Sequence, residues 1–373
     1  MRRDEVILDR LLGPINGQLE AGRSWPFWLM FLAVIVVMAF MPTLLSRYEL
    51  LNFSNMLSNV FLALGLCLIW GFAGILSLGQ SAFLGLGGYA YGIVGINLIE
   101  AHGNTWLALL AGLGFPVIVA AILGWLMFYG RLKGVYVAIL MLVVALLIET
   151  FLNQTAGHGW SIGDAHLGGN NGLGRFSGVI REPPSLTLGY GADSMRVFEG
   201  KTHAFYYLIF GLGVVCYLAL RALVNSRFGH VLVAIREDPD RTEALGYNVR
   251  LIQVLVFCVA ALLASLSGIL YVSWGNFITP DVFSVYYNIL PTIWVALSGR
   301  KSLTATVIGT VFLVWLSQKL AIQGDIAFVV LGGILLAGMM LLPEGVLTGL
   351  GERIGWVFDR LGVGRNHGGG RAD

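Results

Sequence analysis

The chain has 373 residues, of which 57% are hydrophobic and 12% charged, whereas a soluble domain carries about 45–50% apolar and about 25% charged residues. That imbalance excludes an ordinary soluble class and points to an integral membrane protein. A formal net charge of +2 without a basic face excludes a nucleic-acid partner. Cys67, Cys216 and Cys258 each lie inside an apolar run without paired spacing, which fits buried thiols and not a disulfide framework or a metal site.

Residues 1–24 are polar, carry Arg2, Arg3, Arg10 and Arg23, and have an amphipathic apolar pattern. A cleaved signal peptide would place its apolar stretch earlier and follow it with small residues. The segment reads as a cytoplasmic amphipathic helix ahead of the first span. Crossing the hydrocarbon core takes about 20 apolar residues. Runs near residues 25–45, 54–75, 81–99, 105–128, 135–152, 204–223, 251–274, 286–297, 303–320 and 326–342 predict about ten spans, the eighth of them short. The expected fold is an all-α, polytopic transmembrane helical bundle. The transmembrane body covers 25–350, and 351–373 forms a flexible cytoplasmic tail.

Lysine and arginine placement sets the expected orientation. With the N-terminus inside, inside segments hold 17 of the 23 basic residues, and four of the other six lie in one long outside loop. Both termini then face the cytoplasm. So does the polar island 221–250, RALVNSRFGHVLVAIREDPDRTEALGYNVR, which holds five arginines between two long apolar runs. It predicts a helical piece over 231–236, a break at Pro239, and a second piece over 241–245 ending at Gly246. Such a knuckle suits docking into a groove on another protein, or serves as a solvated loop held inside by its arginines.

The long outside loop, 153–203, is rich in glycine and turn residues, including Gly168-Gly-Asn-Asn-Gly-Leu173 and Pro183-Pro184. It predicts irregular chain or small elements instead of a packed domain. Glycines crowd spans two and three, from Gly71 through Gly74, Gly79, Gly85, Gly87 and Gly88. Dense glycine lets helices approach closely or lets the backbone leave helical geometry, the latter only against protein or an aqueous cavity. In the second case Ser77 and Gln80 offer polar groups to a passing solute. Glu149 and Lys319 are ionisable groups inside or at the ends of spans, where a functional role is the default hypothesis; Glu149 either receives a solute's ammonium group or reaches interfacial water. No catalytic residue set is evident. Gly299-Arg-Lys-Ser302 lacks the glycine spacing of a phosphate loop, so ATP is not bound directly, and no His pair has metal-ligand spacing.

Ordered short motifs carry a family resemblance across nearly the whole chain beyond the first span. Ser226-Arg-Phe-Gly229, Ala234-Ile-Arg-Glu-Asp238 and Glu243-Ala-Leu-Gly-Tyr-Asn248 resemble the coupling loop of ABC importer permeases for branched-chain amino acids and urea. Gly71-Phe-Ala-Gly-Ile-Leu-Ser-Leu-Gly-Gln80 with Ala82, Phe83, Gly85, Gly87, Gly88 and Tyr89 is similar to the signature of their second and third spans, with Gly88 where alanine is usual. Gly168 to Phe176 resembles the element of these permeases that faces the solute-binding protein. Ser267 to Tyr271, Ile278-Thr-Pro280, Ile293 to Arg300 and Leu342-Pro-Glu-Gly345 follow in the family's order.

The resemblance implies a non-enzymatic translocation subunit in a bacterial inner membrane. Its implied partners are a second permease of similar fold, two cytoplasmic ABC ATPase subunits that hydrolyse ATP, and an extracytoplasmic solute-binding protein. Arg227, Gly229, Arg236, Glu237, Glu243, Ala244 and Gly246 then couple to the ATPase. Gly74, Ser77, Gly79, Gln80, Phe83 and Glu149 line the pathway, and Gly169, Asn171 and Gly172 face the binding protein. The implied solute is a branched-chain or other small amino acid, with urea or a short amide as the alternative. An ion-coupled carrier is the competing class, disfavoured because the spans hold few buried charges for ion coupling.

Overall fold

The computed structural model describes residues 25–157, 159–174, 182–188, 196–198, 202–321 and 332–333. The expected amphipathic N-terminal segment, the tail and, apart from 332–333, the span at 326–342 lie outside the described residues. Eight of the described helices are long and apolar enough to cross a membrane, which makes this a multi-pass helical membrane protein.

Helix α1 (Trp25–Leu44) leads into α2 (Arg47–Leu66), which continues as a π-helical turn, Cys67–Phe72. The α2 start lies seven residues before the expected span boundary at Ser54. Ser46 and Glu49 form a capping box there: the Ser46 hydroxyl accepts from the Glu49 amide, and Glu49 accepts from the Ser46 amide at 2.9 Å. Residues 73–79 are then unwound. Next come α3 (Gln80–His102), α4 (Trp106–Tyr129) and α5 (Val135–Asn153).

The loop after α5 carries two small hairpins, in keeping with its composition. Strands β1 (Ser161–Ile162) and β2 (Ala165–His166) pair antiparallel, as do β3 (Leu186–Leu188) and β4 (Arg196–Phe198). The first hairpin is clipped to α3 through Asn97, which donates to Ile162 O at 2.8 Å and accepts from the Asp164 amide at 2.7 Å. The second is clipped to the α3–α4 turn by Thr105, whose amide and hydroxyl both donate to Thr187 O at 3.0 Å.

Helix α6 (His203–Asn225) precedes the knuckle, which folds as α7 (Arg227–Glu237) and α8 (Pro239–Ala244). Asp238 breaks the first helix and caps the second by accepting from the Arg241 amide, and Pro239 occupies its first turn, where a missing N–H costs nothing. Helix α9 (Val249–Gly275) is the axis of the bundle, packed against α2, α3 and α4. A 3₁₀ turn, Pro280–Phe283, leads to α10 (Val285–Ser298), and α11 (Leu303–Ala321) follows. The short eighth span is therefore a 14-residue helix, about 21 Å long and too short to cross alone.

Glycines set the spacing of α3 and α9. A Cβ on Gly268 would lie 2.0 Å from Leu84 O, a backbone atom that cannot step aside without moving α3. Gly268→Ala is therefore expected to cost about 1–3 kcal/mol by overpacking. Gly114→Ala, where an added Cβ meets nothing within 4 Å, is expected to be neutral. Thermal unfolding of the two variants in detergent checks this: the melting temperature falls for Gly268→Ala alone.

Candidate functional site: two helix breaks and the elements that hold them

Two interruptions lie in the helices, one toward each end of the bundle. The first, 73–79, follows α2 at the knuckle end. The second, 276–284, follows α9 at the hairpin end. Each leads into a helix that starts inside the bundle. Gln80, the first residue of α3, donates from Nε2 to Ala260 O at 2.9 Å. Ala260 lies about 16 Å along α9 from its knuckle end, at 1.5 Å per residue, so α3 begins near mid-depth.

The start of α10 lies beside it, because the Ser81 hydroxyl donates to Tyr287 O at 2.7 Å. Ser284 caps α10 by accepting from the Tyr287 amide, and buried Asn288 donates to Phe283 O at 2.7 Å and Ser284 O at 2.9 Å. The Phe283 ring sits over Gly85 of α3, where a Cβ would come within 2.3 Å of it. Two helix N-termini, each carrying a partial positive charge, thus meet through one side-chain hydrogen bond.

Each break is held from outside by a different element. At the knuckle end, Arg236 of α7 donates from Nη1 to Gly71 O at 2.6 Å and pairs with Glu237 at 2.7 Å. Gly74, at φ +73, lies against the Arg236 side chain. Cys67 donates to Arg300 O at 3.3 Å, so the α10–α11 turn braces the same π-helical segment. A cavity of about 220 Å³ separates the unwound stretch from the knuckle, lined among others by Arg131, Lys133, Asp240, Glu243 and Arg250. Lys133 reaches Asp240 at 3.2 Å and Arg250 reaches Glu243 at 3.4 Å, tying the α4–α5 turn and the base of α9 to α8.

At the hairpin end, Leu173 and Ile278 exchange two backbone hydrogen bonds of 2.9 Å. Gly172, at φ +67, passes so close that a Cβ would lie 2.0 Å from Ile278 O. Asn276, itself in the left-handed region, donates to Pro183 O at 2.8 Å and to the Ser185 hydroxyl at 3.0 Å. The long loop is therefore stitched to the second break.

The residues singled out from sequence fall into three groups. Arg236 and Glu237 meet the first break. Gly229 lets α7 fold back on the Val224 carbonyl, and Arg227, Glu243, Ala244 and Gly246 are exposed on the knuckle. Leu245 and Tyr247, which carry no sequence signal of their own, are 73% and 47% exposed at the knuckle tip and give it an apolar face. In the second group, Ser77, Gly79, Gln80 and Phe83 are all buried at the α3 start. Ser77 accepts from the Gly79 amide, Gly79 abuts Met141 of α5, and Phe83 packs edge-on against Phe257 at 5.3 Å. Glu149 is not in that group: it lies toward the hairpin end of α5, near Asp281 of the 3₁₀ turn. In the third group, Gly169 and Gly172 are buried and shape the turn that exposes Asn171.

This architecture can be set beside known proteins. A family model for the permease component of branched-chain amino acid transport systems matches residues 49–342. The chain belongs to that family. This permease is 27% identical over 338 residues to the high-affinity branched-chain amino acid transport system permease protein LivM of Salmonella typhimurium, covering 86% of this chain and 74% of the relative. It is likewise 27% identical over 332 residues to LivM of Escherichia coli K12, with the same coverage. It is 26% identical over 327 residues to the ribose import permease protein RbsC of E. coli K12, covering 82% of this chain and 91% of the relative. No solved structure matches the permease.

A side chain at Gly172 would have to hold a left-handed φ and clear the Ile278 carbonyl, strain of about 1–3 kcal/mol. In Gly172→Ala, amide hydrogen exchange at Leu173 and Ile278 is expected to accelerate together by about tenfold. Exchange mass spectrometry of the two peptides, with the α9 core as internal reference, measures it.

Proposed function

We propose that this permease is the translocation subunit of an ABC importer for branched-chain or other small amino acids, driven by ATP hydrolysis in partner subunits. The observation that carries it is the continuous contact path from knuckle to long loop. It runs from Arg236 through Gly71 and the unwound 73–79 stretch to the α3 start, across Ser81 and Tyr287 to α10, and through 276–279 to Leu173. One end of that path suits ATPase subunits in the cytoplasm, and the other suits a solute-binding protein outside. The distribution of basic residues favours that orientation, as does the exposed Leu245 and Tyr247 face beside the charged knuckle.

Coupling then has a mechanical form. The two helix starts inside the bundle are held by one hydrogen bond and one ring contact, while each break is anchored to a surface element by backbone-directed bonds. Movement of the knuckle by the ATPase pulls the first break, and docking of a loaded binding protein biases the second. This is a two-state element with a ligand at each side. A second permease of similar fold completes the pathway, and ATP is used by the partners without binding to this chain. The bacterial inner membrane is the setting these partners require.

The test uses co-expression with candidate ATPase, second permease and binding protein, followed by reconstitution in membrane discs. Glu243→Arg combined with Gly246→Trp acts on the exposed knuckle: a Cβ on Gly246 meets nothing within 4 Å, while its φ of +92 strains any side chain and Glu243 gives up its pair with Arg250. The double variant is expected to stay folded with a somewhat lower melting temperature, to lose the ATPase on co-purification, and to lose solute-stimulated ATP hydrolysis. Normal coupling in the variant would remove the knuckle from the mechanism. Uptake of labelled leucine by wild type in the absence of any ATPase would replace the importer with an ion-coupled carrier.

A further inference from the structure

Resting on that function, we infer that Asp281 and Glu149, with the Tyr89 hydroxyl, form an entry site for the ammonium group of the transported solute. Asp281 stands on the 3₁₀ turn of the second break, exposed in this chain. Glu149 is half-buried near the hairpin end of α5, and α5 packs directly against that turn. The two carboxylates lie within electrostatic range of one another. Among the described residues neither carboxylate has an ion pair or a side-chain hydrogen bond.

Two like charges held near each other at the end of the bundle, without a countercharge, repel. They persist where something arrives to neutralise them. Tyr89 supplies an independent sign of a ligand. It is 5% exposed, its hydroxyl has no hydrogen-bond partner among the described residues, and it lies within electrostatic range of Asp281. Its ring stands 5.9 Å from Phe283, on the same turn. A buried hydroxyl left unmatched is costly, and an incoming solute relieves that cost. Tyr271 and Tyr287 also lie within electrostatic range of Asp281, so the carboxylates stand among aromatic side chains.

Carboxylates beside tyrosine rings suit a primary ammonium group. Uncharged urea gains little from them. The site lies between the Leu173–Ile278 stitch and the α10 start, so a solute released at the long loop meets it before the buried helix starts. It would therefore select for ammonium-bearing solutes independently of the binding protein.

The experiment measures initial uptake of labelled leucine into proteoliposomes holding the complete importer, at saturating binding protein. Variants are Asp281→Asn, Glu149→Gln, their combination, Asp281→Glu and Tyr89→Phe, each checked for assembly by co-purification. Each neutralised single is expected to lose threefold or more and the double variant tenfold or more. Asp281→Glu keeps most of the rate because it keeps the charge, and Tyr89→Phe falls by twofold or more. If the double variant fails to assemble, the singles decide. Leucine uptake by assembled Asp281→Asn and Glu149→Gln at the wild-type rate overturns the site.

A strict sodium requirement in wild type, lost in Asp281→Asn, also overturns it by making the bound cation inorganic. If wild type carries no leucine, the amino-acid function fails by itself, and the panel is repeated with the solute it does carry. An uncharged solute there overturns the site as well, whereas another ammonium-bearing solute with the same losses sustains it.

Discussion

A backbone carbonyl or amide inside a membrane must find a partner within the protein, and the two helix breaks of this permease are organised by that requirement. Unwinding 73–79 and 276–284, together with Pro291 four residues after Tyr287, leaves peptide groups that no helix satisfies. The molecule meets the demand with groups borrowed from elsewhere: the Arg236 guanidinium at Gly71 O, the Ser81 hydroxyl at Tyr287 O, Asn288 at Phe283 O, and the Leu173 peptide at Ile278. Because most of the borrowed groups sit on other elements, each break is welded to a remote part of the chain. Satisfying the backbone and linking the two faces of the protein are the same set of bonds.

The rest of the bundle divides into stiff and yielding parts on that basis. Helix α9 with α2, α3 and α4 forms one continuous packed core, with glycine contacts so close that backbone meets backbone. The helix starts beside it are joined by a single side-chain hydrogen bond, worth about 0.5–1.5 kcal/mol net. The knuckle salt bridges are exposed and each worth about 1 kcal/mol or less. The strong contacts therefore fix the frame, and the weak ones occupy the places where a transporter must rearrange.

Much of this is legible in the sequence, for physical reasons. Long apolar runs have few alternatives to spanning helices, so the expected spans fall close to their observed places. The knuckle's two helices and the break between them are visible because Pro239 cannot continue a helix and follows Asp238, a strong cap for the next one. The α2 start escapes an apolarity count although Ser46 and Glu49 carry the capping-box spacing, because such a count looks past a polar first turn. The glycine-rich 71–88 stretch announces close approach but not which glycines bend the chain and which admit a neighbour. That distinction depends on partners as distant as Arg236 and Ser265. Asp281 draws no notice in a turn between spans, and only the fold brings Glu149 near it.

Helix α1 carries a consequence for how the protein is made. It is held to the body by α6: Tyr206 and Tyr207 donate to Met38 O and Ala39 O, and the buried Arg221 guanidinium lies over the Phe27 and Trp28 rings at 4.6 and 5.2 Å. Tyr206 is 168 residues downstream of Met38, a delay of roughly 8–34 s at ribosomal speeds of about 5–20 residues per second. Through that interval α1 has no α6 to dock on. Its many exposed apolar side chains make lipid an acceptable place to wait. This early helix is then fastened late, when Arg221 and the two tyrosines arrive to hold it.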